Sequence, residues 1–447
     1  MKTAITIVFI IFANAIFAQP GFEEITFADA LTAAKAKGKM IFVQYESADC
    51  DECNEVAYKG VSAPEVAKKI NDIFIPIKIN LTHTDRDAIS LQYDLSPTSF
   101  GILFLDMNGA LVSKFLQSTT RYVTYLEQID LALYKLGESI NISYLESDYK
   151  NGNRNIDFLE TLLSKRMSLS LSNDDLLDEY VKLLPVDSLK SIRTLVFIAQ
   201  LAPGLYSYAN FLMRRDHAMF TLAWRTLPNQ ARVSINNSVI YKSIKRAVKE
   251  RREGSAMGAA MFAKQVYGSN VSAGQRAHDY WLLSYYEKTD TAKFLMLASK
   301  YYENYFMTVT LDSLKKIDSL GKARMLAKVP SRDSMVNGKL KQVKSIAYSP
   351  IGQYYSNALN NGAFNFYQMT NDPQHLALAT KWAERALVLY KKPPVIDTYA
   401  RLLYKQGQKE KAIKMETEAI EMWKDKKLDF KYLYVVLEKM KKNESLD

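Results

Sequence analysis

The chain has 447 residues, 48% of them hydrophobic and 24% charged, a balance that excludes a disordered tail and provides for two or three packed domains. Its formal net charge of +11 could favour acidic partners, but no basic motif interleaved with aromatics accompanies it, so no nucleic-acid partner is expected. Only two cysteines are present, which excludes a fold stapled by many disulfides and leaves stability to packing.

Residues 1–18 depart from this average. Lys2 forms a short basic start, Ala4 to Phe17 is nearly all apolar, and Ile16-Phe17-Ala18 precedes Gln19-Pro20, the pattern of a secretory signal peptide. The apolar run is short for a membrane span, which needs roughly 20 residues, so the mature chain is expected to be soluble, with no transmembrane segment. The residue after the cleavage point is Gln19 and the first cysteine is Cys50, so a lipid tether is not expected.

Residues 22–137 alternate helix-like and strand-like periods. Phe27 to Lys37 reads as an amphipathic helix, and Met40 to Tyr45 as a buried strand that leads into Cys50-Asp51-Glu52-Cys53. Cys53 to Ile70 reads as a helix broken between Gly60 and Pro64. Ile73 to Ile79 is the next strand, and Asp85 to Tyr93 a short helix before Pro97. Phe100 to Leu105 and Leu111 to Leu116 are strands around the turn Asp106-Met107-Asn108-Gly109, and Arg121 to Leu136 is a closing helix.

A cysteine pair at a strand-to-helix junction, Pro97 just before the next strand, and the stretch Pro64-Glu65-Val66-Ala67 carry a resemblance to the thioredoxin superfamily, and within it to exported thioredoxin-like domains. The resemblance covers about a quarter of the chain. It implies an α/β thioredoxin-like fold in which Cys50 and Cys53 are catalytic, and Ser96-Pro97-Thr98 is a substrate-receiving turn with a cis proline facing them.

Two other readings of the cysteines stand beside this one. A zinc site needs four ligands, but there are no further cysteines, and His83, His217, His278 and His375 are scattered; no metal or other cofactor is expected. An inert bridge is the second, although closing so small a loop removes little chain entropy.

If the pair is active, Cys50 at the helix N-terminus is the attacking thiolate and Cys53, one turn on and more buried, resolves the mixed disulfide. Asp49, Asp51 and Glu52 crowd that thiolate, which should raise its pKa and favour the disulfide; the pair then leans toward a reductase or isomerase. Two departures from the family pattern bear on turnover. Gln44 stands where typical members have a buried acid, and Asp49 where they have tryptophan, which leaves water or a carboxylate such as Glu46 to take the Cys53 proton.

Residues 138–157, with five scattered Asn and Gly positions, read as a linker. Residues 158–350 read as helical throughout. In 351–447 the spacing of Ala379, Trp382 and Ala386 recurs about 33 residues later as Ala412, Met415 and Ala419. With Ala400 and the turn at Gly407, this resembles tetratricopeptide repeats, which implies stacked helix pairs and a surface for a peptide or protein.

These features together predict an exported thiol-disulfide oxidoreductase, periplasmic or secreted. Its expected partners are client protein thiols or disulfides, a redox partner protein, and a peptide or protein on the helical repeats. The alternative is a non-catalytic interaction scaffold. Hydrolysis or group transfer lacks a Ser/His/Asp or metal constellation.

Overall fold

The structure is a computed structural model that describes residues 20–22, 25–47, 50–80, 82–96, 99–138, 141–336, 339–343, 350–424 and 431–446. The signal-peptide-like stretch 1–18 lies outside them. The chain divides between Pro185 and Val186 into two compact units.

In the first unit the elements expected before residue 137 form in the expected order: α1 (Phe27–Lys37), β1 (Met40–Tyr45), α2 (Asp51–Val61), α3 (Pro64–Ile73), β2 (Phe74–Ile79), α4 (Arg86–Gln92), β3 (Gly101–Leu105), β4 (Leu111–Phe115) and α5 (Tyr122–Leu136). The sheet order is β2-β1-β3-β4, with β1 parallel to β2 and antiparallel to β3, and β4 antiparallel to β3. All six residues of β1 are buried, as its nearly continuous apolar run requires of a central strand covered on both faces. Alternate residues share a face: Met40 and Phe42 pack with Val61, Ile70, Tyr125 and Ile129 from α2, α3 and α5. Pro76 lies in β2, an edge strand, where the missing N–H costs no ladder bond on the open side. Pro64 opens α3 at a position where its absent N–H has no intrahelical role.

The stretch 138–157, expected as a linker, instead holds α6 (Ile142–Lys150) and the start of α7 (Ile156–Ser168), followed by α8 (Asp174–Leu183). The asparagines that read as loop punctuation are helix caps. Asn141 Oδ1 accepts from Tyr144 N–H at 2.9 Å, and Asn155 Oδ1 from Asp157 N–H at 2.9 Å. Ser143 Oγ donates to Asp106 Oδ2 at 2.7 Å, and Lys114 Nζ donates to the Ser170 carbonyl at 3.2 Å, so α6 and the turn after α7 are tied to the sheet region.

The second unit contains α9 (Ile192–Gln200), α10 (Tyr208–Arg214), α11 (His217–Thr226), α12 (Asn229–Glu250), α13 (Glu253–Gln265), α14 (Val271–Thr289), α15 (Thr291–Tyr302) and a π-helical turn, Glu303–Met307. After α16 (Leu311–Lys328) come two antiparallel strands, β5 (Arg332–Val336) and β6 (Lys339–Val343). They correct the expectation of unbroken helix through 350; the Asn337-Gly338 pair between them is a strong hairpin signal that a helical reading passes over. The unit ends with α17 (Ile351–Met369), α18 (Pro373–Leu389), α19 (Pro393–Lys405), α20 (Lys409–Lys424) and α21 (Lys431–Lys442).

Helices α17 and α18 pack together, as do α19 and α20, and the small residues Ala379, Ala386, Ala400, Ala412 and Ala419 are completely buried. Trp382 is buried at the centre, with Tyr302 and Phe366 ring centroids at 4.9 and 4.8 Å and its Nε1 donating to Glu303 Oε1 at 2.7 Å. Gly407 takes φ +79° in the turn between α19 and α20, a left-handed conformation suited to glycine. Among the described residues no helix is long and apolar enough to cross a membrane.

Candidate functional site

The sheet's register gathers three chain segments at one end. Tyr45, the last residue of β1, pairs with Ile79, the last of β2, and with Gly101, the first of β3. The segment that carries Cys50, the segment after Asn80 and the turn before Gly101 therefore leave the sheet on the same side.

Cys50 is the N-cap of α2 and forms a disulfide with Cys53, their Cα atoms 5.2 Å apart. Cys53 N–H donates to Cys50 Sγ at 3.2 Å, and Asn54 N–H donates to the Cys50 carbonyl at 3.2 Å. Thus Cys50 sulfur occupies the capping position that a serine or aspartate oxygen often takes, facing N–H groups of the first turn. Both cysteines are half-buried, so the pair is at the surface but not fully open to solvent, and Cys53, expected to be the more buried of the two, is half-buried like Cys50.

Asn54 holds the preceding loop. Its Oδ1 accepts from Ser47 N–H at 2.8 Å while its Nδ2 donates to the Ser47 carbonyl at 3.0 Å. On the strand side, Arg86 of α4 donates through Nη2 to the Glu46 carbonyl at 2.8 Å and through Nη1 to the Asn80 carbonyl at 3.2 Å, and its guanidinium lies 4.4 Å from the Tyr45 ring centroid. One cation thereby ties the ends of β1 and β2 together and stacks on the last aromatic of β1. Neither Asn54 nor Arg86 stood out in the sequence, because each acts through backbone groups distant from any motif.

Gln44 is 1% exposed, opposite Lys78 in β2 and Ile102 in β3. It shares the β1 face of Met40 and Phe42, toward α2, and neither atom of its amide has a hydrogen-bond partner among the described residues. Glu46 is engaged rather than free: its Oε1 is 2.7 Å from Lys78 Nζ, and its side chain is mostly buried. Ser96 is fixed by Ser99, whose Oγ accepts from Ser96 N–H at 2.9 Å and lies 2.9 Å from Ser96 Oγ. Pro97, Thr98 and Asp49 lie outside the described residues, as do the side chains of Asp51 and Glu52.

A buried phenol supports the helix that carries the cysteines. Tyr125 accepts from Thr119 N–H at 3.3 Å, and burial pushes its pKa up. Gly60 of α2 is where that helix meets α5: a Cβ there would overlap the Tyr125 ring and the Thr119 carbonyl.

A mixed four-stranded sheet with a Cys-x-x-Cys disulfide at the N-terminus of the helix after its central strand defines a dithiol-disulfide domain. Residues 23–106 match a family model described as thioredoxin-like, a span that includes both cysteines and runs through β3. The N-terminal part of this chain is a thioredoxin-like domain, followed by a long helical region. No curated protein matches the chain.

Proposed function

We propose that this protein is an exported thiol-disulfide oxidoreductase, of reductase or isomerase character, acting on protein thiols through Cys50 and Cys53. The observation that carries the reading is the Cys50–Cys53 disulfide at the start of α2, with Cys50 Sγ accepting the Cys53 N–H. In the reduced protein Cys50 thiolate attacks a client disulfide, forms a mixed disulfide and releases one client thiolate. Cys53 then attacks Cys50 Sγ, restoring the Cys50–Cys53 bond and releasing the second client thiol, so two electrons pass to the client. A dithiol redox partner protein returns them. Ser96, Pro97 and Thr98 would receive the client chain.

The reductase leaning rests on Asp49, Asp51 and Glu52, whose charges disfavour the Cys50 thiolate and hence the reduced form. Export rests on the signal-peptide pattern of residues 1–18, and a periplasmic location on the resemblance to exported thioredoxin-like proteins with helical repeats. The paired helices α17 to α20, with their buried small residues, support tetratricopeptide-like repeats that hold a peptide or protein partner.

A second reading, a non-catalytic scaffold, is favoured by Gln44, which cannot move a proton for Cys53. Equilibration with glutathione or dithiothreitol buffers separates the two, with Cys50→Ser as control. A reversible two-electron couple poised well below about −200 mV is expected for the reductase. A pair that cannot be cycled puts the scaffold in front.

A further inference from the structure

The second unit contains a cavity of about 800 Å³ between two helix faces, far in sequence from the cysteine pair. One wall is α12, which presents Ser234, Asn237, Ser238 and Tyr241. These stand at i, i+3, i+4 and i+7 and so form one stripe of hydroxyl and amide groups. The facing wall is α14, where Ala273 and Ala277 leave depth between Arg276, Tyr280 and Trp281 at the same helical spacing. Buried Tyr301 and the half-exposed Tyr267 and Tyr354 complete the lining. A space of this size is in the range of built ligand sites, about 300–1,000 Å³.

Charge decides what it would hold. Arg276 is the one charged side chain of the lining, and the lining contains no carboxylate. Its guanidinium sits 4.7 Å from the Phe306 ring centroid, and Nη2 donates to Tyr354 Oη at 2.9 Å. Among the described residues no carboxylate forms an ion pair with it, so a partly buried cation is held by neutral rings and hydroxyls. Phe306 belongs to the π-helical turn Glu303–Met307, an irregularity of a kind that recurs at binding sites.

We infer that this groove binds an extended acidic peptide segment of a protein partner: a carboxylate meets Arg276, peptide groups meet Ser234, Asn237 and Ser238, and an apolar side chain lies against Tyr280 and Trp281. Aromatic faces contribute apolar contact without strict sequence demand, while a guanidinium with no carboxylate in ion-pair contact selects against basic segments. The inference deepens the reading that the helical region holds a protein partner and rests on that reading, but it does not depend on redox turnover.

Trp281 reports on the groove directly. The full chain, with its disulfide intact, is titrated by tryptophan fluorescence with an unstructured hexapeptide carrying two phenylalanines and two glutamates, and with the same peptide carrying glutamines instead. Saturable quenching by the glutamate peptide, at least about tenfold tighter than by the glutamine peptide and absent in Trp281→Phe, is expected; tenfold corresponds to about 1.4 kcal/mol. Asn237 is exposed, so Asn237→Asp leaves the fold intact while placing a carboxylate in the groove. It should weaken the glutamate peptide by about tenfold or more and the glutamine peptide far less. Equal binding of both peptides, no saturable change, indifference to Asn237→Asp, or quenching by maltohexaose with both peptides silent overturns the inference. The reduction potential measured on the same sample shows whether the redox reading has failed independently.

Discussion

Asn54 grips Ser47 by both of its backbone polar groups, accepting from the N–H at 2.8 Å and donating to the carbonyl at 3.0 Å, across the loop that delivers Cys50 to the start of α2. Asn54→Ala removes both bonds and leaves the Ser47 amide group, in a buried residue, to find new partners. At about 0.5–1.5 kcal/mol per bond, stability should fall by roughly 1–3 kcal/mol in urea denaturation. A positioning role adds a second consequence. The Cys50 thiolate of the reduced protein would no longer be fixed against the first-turn N–H groups, so its pKa rises, read as a higher midpoint in the pH profile of iodoacetamide alkylation. Lowered stability with an unmoved midpoint would reduce Asn54 to a structural tie.

Gln44 has the opposite character, a buried amide near the end of the central strand β1 with no hydrogen-bond partner among the described residues. An unsatisfied buried polar group costs about 1–3 kcal/mol, so Gln44→Met, close in size and unbranched, should raise the denaturation midpoint by a corresponding amount. If Gln44 takes no part in the chemistry, the rate of dithiothreitol reduction of Cys50–Cys53 stays unchanged in this variant. Gln44→Glu tests the converse: a carboxylate on the face toward α2 supplies a proton acceptor, and resolution of a mixed disulfide on Cys50 should become faster. No acceleration in a folded Gln44→Glu protein would show that proton transfer does not limit Cys53.

Gly60 permits the close approach of α2 to α5. Because an added Cβ would meet the Thr119 backbone carbonyl as well as the Tyr125 ring, the helix must shift rather than a flexible side chain yield. Gly60→Ala should therefore destabilise by about 1–3 kcal/mol in spite of alanine's better helix propensity. Thermal melts by circular dichroism measure this, and an unchanged or higher melting temperature would contradict the packing described.

How far these contacts were legible in sequence differs by their physics. The strand Met40 to Tyr45, the break before Pro64 and the cysteine pair at a helix start follow from local periodicity and from residue types with fixed conformational meaning. The caps at Asn141 and Asn155 read as loop in the sequence because asparagine favours both loops and helix starts, and only the following N–H groups distinguish the two. The β5 and β6 strands sit in a helical background that hides them, although the dipeptide Asn337-Gly338 is a hairpin signal in the sequence. In the sequence Glu46 reads as a carboxylate able to take the Cys53 proton; its ion-pair partner Lys78 is on a neighbouring strand, and only the sheet brings the two together. The Arg86 tie and the groove around Arg276 depend on contacts between separate elements, which periodicity does not encode.

The last prediction concerns a buried charge cluster in α19 and α20. Arg401 Nε donates to Asp397 Oδ1 at 2.8 Å, and Glu416, with no exposed surface, faces the same pair. Burial raises both carboxyls, but Arg401 offsets the effect at Asp397, so Glu416 is the proton holder, pushed up to about 9 by burial and then by the Asp397 charge. In an unfolded chain the same group titrates near 4.3. Between these values the folded state binds a proton that the unfolded state does not. Stability is therefore greatest below the unfolded pKa, declines as pH rises through the window, and levels off above about 9. Glu416→Gln keeps the size and removes the titration. Its stability should match the parent's near pH 5 and exceed it increasingly toward pH 9, with a melting-temperature difference that grows over that range. Parallel curves for the two proteins from pH 5 to pH 9 would place the proton elsewhere in the cluster, and Asp397→Asn, which leaves Arg401 paired with Glu416, would then be the variant that flattens the profile.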